Sequence, residues 1–257
     1  MELSMKATNS ILRTAAKIFI LNLERATQRQ KIMLDRLAIL GLEAEILSAV
    51  DGKVLNAADL PPGTEPGLSP GEIGAYFSHV NSWKTIIQRQ LPYAIVLEDD
   101  VILSPNLMEV VEELTALEMP IDAVRLSALL PIRGIPVASL SGNMRLVLTT
   151  KPSSGTQGYL VSFDGAKRLL ARLAIPKQPV DVALDRYWKY GLCIPVLVPP
   201  VVEEDRLLES TIVDRIRSTY RETVISRILH KVEKKRRKIV AFFMARRLRK
   251  YRLLHSR

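Results

Sequence analysis

Lys17-Ile18-Phe19-Ile20-Leu21-Asn22 is short, apolar and rich in β-formers, and it reads as a buried strand. Immediately after it, Arg25 to Leu40 places Ile32, Leu34, Leu37 and Leu40 among charged residues, and Gly41 closes the segment, the pattern of a surface helix with a C-terminal stop. Residues 43–50 return to strand character, and Asp51-Gly52 is a turn. A strand, a helix and a second strand in this order form a βαβ opening. It implies an α/β layer fold with helices on a sheet.

Outward from that opening, residues 56–71 are rich in Pro and Gly and read as a loop. Ser69 is an N-cap candidate, with Pro70 at the first helical position and Glu72 three residues on, and the helix it starts runs to about Gln90. Tyr93 to Leu97 is a third strand. A helix over 105–118 and a strand over 122–127 follow, then a loop over 130–143 and strands near 144–149 and 157–162. Helices at 164–174 and 181–190 and a strand at 192–198 complete the body. From residue 206 onward the pattern predicts continuous helix, with Leu207, Ile212, Ile216, Val224, Ile228 and Leu229 spaced among Arg and Lys.

The charge is divided unevenly. The 257-residue chain carries a net charge of +10, yet residues 206–257 hold 17 Lys and Arg against 4 Asp and Glu, so the rest is slightly acidic. The expected organisation is a leader over 1–16, a globular domain over 17–205 and a basic amphipathic helical tail over 206–257. One cysteine, Cys193, excludes an internal disulfide framework and a Cys-rich zinc site, and points to a reducing compartment. No run of about 18 apolar residues is present to span a bilayer. The N-terminal apolar run is too short for a signal peptide and charge follows it at once.

Ile95-Val96-Leu97-Glu98-Asp99-Asp100-Val101 carries the strongest chemical signal. A buried strand runs straight into three acids, and in open α/β sheets the ligand crevice lies outside the carboxyl ends of the strands. Adjacent carboxylates repel unless solvent or a cation neutralises them, and hard divalent cations take such oxygen ligands together with phosphate oxygens. Glu98 and Asp100 share a face if the backbone is extended. The alternative is a solvated acidic turn. On the helix that follows Ser69, Ile73, Phe77, Val80 and Ile87 form a core stripe, while Glu72, Tyr76, His79 and Trp83 form a second stripe suited to a sugar or nucleotide pocket. Buried aromatics and a structural histidine are the alternative there. At the exit of the first strand, Arg25 and Arg29 share a helical face near its N-terminus and are either pyrophosphate ligands or solvated arginines.

These segments, in order, resemble glycosyltransferase family 25, the lipooligosaccharide and lipopolysaccharide glycosyltransferases. The resemblance is carried by Ile20 to Arg25 with Arg29; Ala49-Val50-Asp51-Gly52; Leu68 to Gly74; Ser78-His79 with Trp83; Ile95 to Val101; Gly158 to Ser162 with Gly165-Ala166-Lys167; and Pro179-Val180-Asp181. It implies a GT-A-like, Rossmann-type sheet flanked by helices, a UDP-hexose donor (usually UDP-galactose), a lipid-linked saccharide acceptor and inversion at the anomeric carbon. It further implies that Glu98, Asp99 and Asp100 act as the donor motif, with Glu98 and Asp100 holding Mn²⁺ or Mg²⁺. On this reading Asn22, Arg25, Glu72 and His79 contact the donor, His79 also serving catalysis. Asp181, which matches the family block, or Asp185, one turn on, takes the acceptor proton. An inactive relative serving as a membrane-associated binding subunit is the alternative.

The basic tail reads as an in-plane anchor on an anionic membrane surface, with Phe242-Phe243-Met244 inserting beside the charges. That makes the expected location the inner face of the cytoplasmic membrane. Nucleic acid is the rival polyanion, disfavoured because the body is net acidic and has no nucleic-acid-binding motif. Residues 128–143 are expected to border the acceptor.

Overall fold

The computed structural model describes residues 16–117, 119–208 and 224–255, the side chains of the last segment over 231–252. Most of the expected leader and residues 209–223, with Ile212 and Ile216, lie outside the described residues.

The βαβ opening is present as β1 (Lys17–Asn22), α1 (Thr27–Ile39) and β2 (Glu45–Ser48), and β1 pairs parallel with both β2 and β3 (Tyr93–Glu98). Further strands are β4 (Val101–Leu103), β5 (Ala123–Arg125), β6 (Gly134–Ser139), β7 (Arg145–Thr149), β8 (Gly158–Ser162), β9 (Val196–Val198) and β10 (Val202–Glu204). Eight of them form one mixed sheet in the order β2-β1-β3-β8-β5-β9-β7-β6, and β10 pairs antiparallel with β4 in a separate ribbon. Helices α2 (Pro70–Gln88), α3 (Leu107–Ala116), α4 (Phe163–Leu173), α5 (Val180–Asp185) and α6 (Val224–His255) complete the α/β architecture. In β1 the residues Ile18 to Asn22 are all buried, and in β3 Ala94 to Leu97, so the central parallel strands are covered on both faces.

Helix α2 begins as its sequence dictates. Glu72 N donates to Ser69 Oγ at 3.3 Å, and Ser69 N donates to Glu72 Oε2 at 2.8 Å, a closed capping box with Pro70 inside it. Of the expected core stripe only Val80 is fully inside, and the rings of the second stripe join it there. Tyr76, His79, Trp83 and Ile86 are fully buried, whereas Ile73, Phe77 and Ile87 are only half-buried. The aromatic stripe is core because α2 lies against both the sheet and α4, and the large rings fill that space. In α1 the inner face is Met33 and Leu37, with Leu34 exposed.

Three strands lie where the sequence pattern indicated none. Residues 130–143 contain β6, an edge strand with a bulge between Pro136 and Ala138. Gly134, Pro136 and the bulge break the alternation that marks a strand, and proline is tolerated there because an edge has no partner on one side. β4 and β10 have only three residues each, too short for a period. The helix expected over 181–190 ends at Asp185 and continues as a 3-10 turn, Tyr187–Lys189.

Residues 206–208 are not helical, and the described part of the tail is helical over Val224–His255. α6 packs on β6 and β7. Ala241, Ala245 and Leu248 are buried in that contact, with Val240 and Met244 half-buried against the core. Arg249 Nε donates to Pro136 O at 3.0 Å and Arg252 Nη2 to Ser139 O at 3.5 Å, covering carbonyls of the edge strand. Arg186 Nε pairs with Glu233 Oε1 at 2.9 Å. Met244 therefore leans on the core, while Phe242 and Phe243 are 54 % and 62 % exposed.

Candidate active site

A cavity of about 390 Å³ opens at the carboxyl ends of β1, β2 and β3. Leu21 and Leu23 reach it from β1, Ala49 to Lys53 from β2, and Glu98 to Asp100 from β3. The start of β8 adds Gly155, Thr156 and Gln157, α2 adds Glu72, Ala75, Ser78 and His79, and the α5 region adds Pro179 to Val182. Glu204 closes the wall from β10. The location follows from the parallel β1–β3 core, whose strand ends leave a crevice for a ligand.

The acidic triplet is a structured cluster rather than a solvated turn. Asp99 Oδ2 accepts from Asn22 Nδ2 at 2.7 Å, and Asp99 Oδ1 lies 3.0 Å from Arg29 Nη2. The same guanidinium nitrogen lies 2.5 Å from Asp100 Oδ2. Arg29 shares the inner face of α1 with Met33 and Leu37, which carries it to the triplet. Glu98 Oε1 accepts from Thr156 Oγ1 and faces His79 Nε2 at 3.5 Å. Burial acts against the Glu98 carboxylate, yet the His79 and Thr156 hydrogen bonds and the Arg29 charge hold it below its ordinary value. Burial, with the neighbouring Glu98 charge, pushes Asp100 up to about 6, and burial raises Asp99 as well.

His79 is 1 % exposed, and both its nitrogens are engaged. An ionised Glu98 only accepts, so Nε2 carries the hydrogen that faces it. Nδ1 then accepts from the Tyr159 hydroxyl at 3.0 Å, which itself accepts from Trp83 Nε1 at 2.8 Å. His79 thus orients Glu98 from the cavity wall, with both ring nitrogens engaged inside the protein.

The remaining expected residues separate clearly. Arg25, Glu72 and Asp181 line the cavity. Arg25 pairs with Asp51, and Asp181 Oδ1 accepts from Val182 N at 2.8 Å. Asn22 is buried behind Asp99 and does not line the cavity, so it acts on the triplet and not on a donor. Asp185 is excluded as a proton acceptor. It is 5 % exposed, off the cavity, and bonded at 2.7 Å to the buried Arg125. No residue of 128–143 lines the cavity, since β6 is at the far edge of the sheet beneath α6. Arg29's inward role, Thr156, Lys53 and Glu204 were not assigned from sequence. Only Arg29 carried a local signal, its spacing of four from Arg25.

A divalent cation fits the triplet at one position. Asp100 Oδ1 is buried and has no hydrogen-bond partner, and its carboxyl is held proton-rich by burial and repulsion, a strain that a cation relieves. Among the described residues no three His, Cys, Asp or Glu side chains converge on one point. Asp100 would therefore hold the ion largely with diphosphate oxygens, as Mg²⁺ sites commonly do. Glu98, whose Oε1 is taken by Thr156 and His79, is not placed as its equal partner.

The family model described as glycosyltransferase family 25 (LPS biosynthesis protein) matches residues 15–184. The chain belongs to this family. Procollagen galactosyltransferase 2 of Homo sapiens is 29 % identical over 187 residues, 64 % of this chain and 29 % of that protein. Procollagen galactosyltransferase 1 of Danio rerio is 29 % identical over 187 residues, 64 % of this chain and 30 % of that protein. The inactive glycosyltransferase 25 family member 3 of Mus musculus is 29 % identical over 194 residues, 66 % of this chain and 32 % of that protein. This family 25 chain therefore spans about a third or less of the length of these relatives. The mixed sheet flanked by helices is the expected GT-A-like α/β fold, and every cavity segment up to Val182 falls inside the matched region.

Proposed function

We propose that the protein is an active, inverting glycosyltransferase that moves a hexose, galactose by preference, from a UDP-sugar to a lipid-linked oligosaccharide of lipopolysaccharide type. The observation that carries this reading is the cavity at the β1–β3 strand ends, with the unpartnered Asp100 Oδ1 inside it. Asp100 would hold Mn²⁺ or Mg²⁺, which would offset the negative charge that grows on the departing diphosphate. Arg25 and Lys53 add fixed positive charge at the same cavity. The apolar Leu21, Leu23, Ala49 and Val50 offer a surface for the nucleoside. Asp181 takes the proton of the acceptor hydroxyl as the oxygen bonds to the anomeric carbon, and the sugar–diphosphate bond breaks with its electron pair leaving on the diphosphate.

Calorimetric titration of UDP-galactose with and without Mn²⁺, beside UDP-glucose and UDP-N-acetylhexosamines, tests the donor assignment. Metal-dependent binding of one UDP-sugar is expected, and Asp100→Asn is expected to abolish it. Asp181→Asn should keep donor binding and lose about 10²-fold or more in transfer, the usual worth of a general base. Because one relative is named an inactive member, the second reading is a binding subunit. Donor binding without transfer or donor hydrolysis would support that reading instead.

We further propose that the protein works on the inner face of the cytoplasmic membrane. The support is the outward face of α6, opposite Ala241 and Leu248, where Ile239, Phe242 and Phe243 are exposed among Lys235, Arg246 and Lys250. Such a face matches an anionic lipid surface in charge and polarity. No described helix is long and apolar enough to cross a membrane. Co-sedimentation with phosphatidylglycerol-containing vesicles should be lost in Phe242→Ser/Phe243→Ser and absent on phosphatidylcholine alone. Equal binding to both vesicle types would remove the proposal, as would tighter binding to duplex DNA.

A further inference from the structure

Behind the cavity wall lies a buried ion pair that the transfer step does not use. Arg125 is 2 % exposed. Its Nη1 donates to Asp185 Oδ1 at 2.7 Å and to Ser153 Oγ at 2.9 Å, and its Nη2 donates to the carbonyls of Ser154 and Gly155. Asp185 grips the same segment. Its carboxylate accepts from Ser153 N at 3.1 Å, Ser153 Oγ at 3.1 Å and Ser154 N at 3.0 Å.

The segment needs such a grip. Ser154 has φ of 50°, a left-handed conformation that costs a residue with a Cβ some energy, and Gly155 follows at 83°, which glycine adopts freely. Directly after it, Thr156 donates to Glu98, and Gln157 O accepts from Glu98 N at 2.9 Å. Whatever fixes 153–155 therefore fixes the side of the cavity that orients Glu98. From the opposite side, Arg237 of α6, itself buried, donates from Nη2 to Asp185 O at 3.1 Å.

We propose that Arg237 is a positioning residue for the active site. By holding the main chain at Asp185 it seats the Arg125–Asp185 pair, and through that pair the 153–157 wall and Glu98. The group that seats the wall thus comes from a helix beyond the family-matched residues 15–184. The inference rests on reading the cavity as the donor site, and its tests separate the two.

Arg237→Gln, Arg237→Lys and Arg249→Gln are compared in the full chain. Arg249 anchors the same helix, but to Pro136 O at the sheet edge, away from the cavity. Hydrogen exchange without ligand is read first. Amides of 153–157 should exchange about tenfold faster in Arg237→Gln, the size of one lost charge-assisted hydrogen bond. They should stay at the wild-type rate in Arg249→Gln and recover in part in Arg237→Lys. Equal acceleration in Arg237→Gln and Arg249→Gln would overturn the proposal, since general loosening of the helix would then explain it. A wild-type rate in Arg237→Gln would overturn it as well. Titration with UDP-galactose and Mn²⁺ follows, where Arg237→Gln should bind about tenfold more weakly by the same arithmetic, with Arg249→Gln unchanged. A wild-type protein that binds no nucleotide sugar would sink the donor-site reading, while the exchange data would still decide the positioning role.

Discussion

At Asp100 the fold holds a carboxylate where it is least comfortable. Burial and the Glu98 charge lift its pKa to about 6, and Arg29 compensates only in part. A carboxyl whose folded pKa lies above its unfolded value withholds stability once pH rises past the unfolded value, and the deficit is complete above the folded one. Asp100→Asn should therefore stabilise the ligand-free protein at pH 7.5, by up to about 2 kcal/mol and a few degrees in melting temperature, while it removes metal-dependent donor binding. A melt that falls instead would mean that the Arg29 contact outweighs the repulsion. Cys193 gives a second check. It is buried, and burial with the nearby Asp122 charge pushes its thiol up to about 12. Its raised value means that stability is lost as pH climbs above the ordinary thiol range, and native protein at pH 8 should resist iodoacetamide until denaturant is added. The triplet was legible because a buried strand ending in three acids is a local pattern. Asp185 was misread because its partner, Arg125, is 60 residues away in sequence, and nothing local distinguishes a buried ion-paired aspartate from a catalytic one.

Two glycines of the matched region are explained by the elements they bring together. A Cβ on Gly74 would stand 2.5 Å from Val50 O and 2.6 Å from Gly52 N, and a Cβ on Gly52 would overlap Pro70 O. α2 therefore rests directly on the backbone of the 3-10 turn Gly52–Val54, and this contact sets Asp51 and Lys53 at the cavity. Gly74→Ala should cost about 2 kcal/mol or more, because rigid backbone must move and the alanine's higher helix propensity recovers only about 1. Donor affinity should fall with it, which thermal melts and calorimetry would show; an unchanged melt would mean that the contact yields freely. At this scale the start of α2 was fully readable, since Ser69, Pro70 and Glu72 form a capping signal within four residues. Its inner face was not, because His79 and Trp83 have both ring bulk and a polar tip, and only the position of Tyr159 on a distant strand decides that those tips meet inside. β6 escaped for the opposite reason: its stability comes from β7 and α6, and its own residues carry little strand pattern.

The sequence alone separates a slightly acidic body from a basic tail, and on that view residues beyond 205 would be removable without harm to donor binding. The packing of α6 predicts otherwise. Ala241, Ala245 and Leu248 are buried on the body, Val240 and Met244 lean on the core, and Arg237 reaches the main chain at Asp185. Burial of these side chains contributes about 5 kcal/mol, a large share of the stability of a typical domain. The helix also covers edge strand β6, whose carbonyls would otherwise be open to pairing with another chain. A chain ending at residue 208 should therefore melt well below the full-length protein, associate with itself and bind donor weakly. Phe242→Ser/Phe243→Ser leaves the packed face untouched, so it should melt like the wild type, bind donor normally and lose only the vesicle interaction. Measuring melting temperature, oligomeric state and donor affinity for the two side by side separates the roles of the two helix faces. If the truncated chain kept its melt and its donor affinity, the inner face would carry no structural weight, and the tail would be the detachable anchor that its charge alone describes.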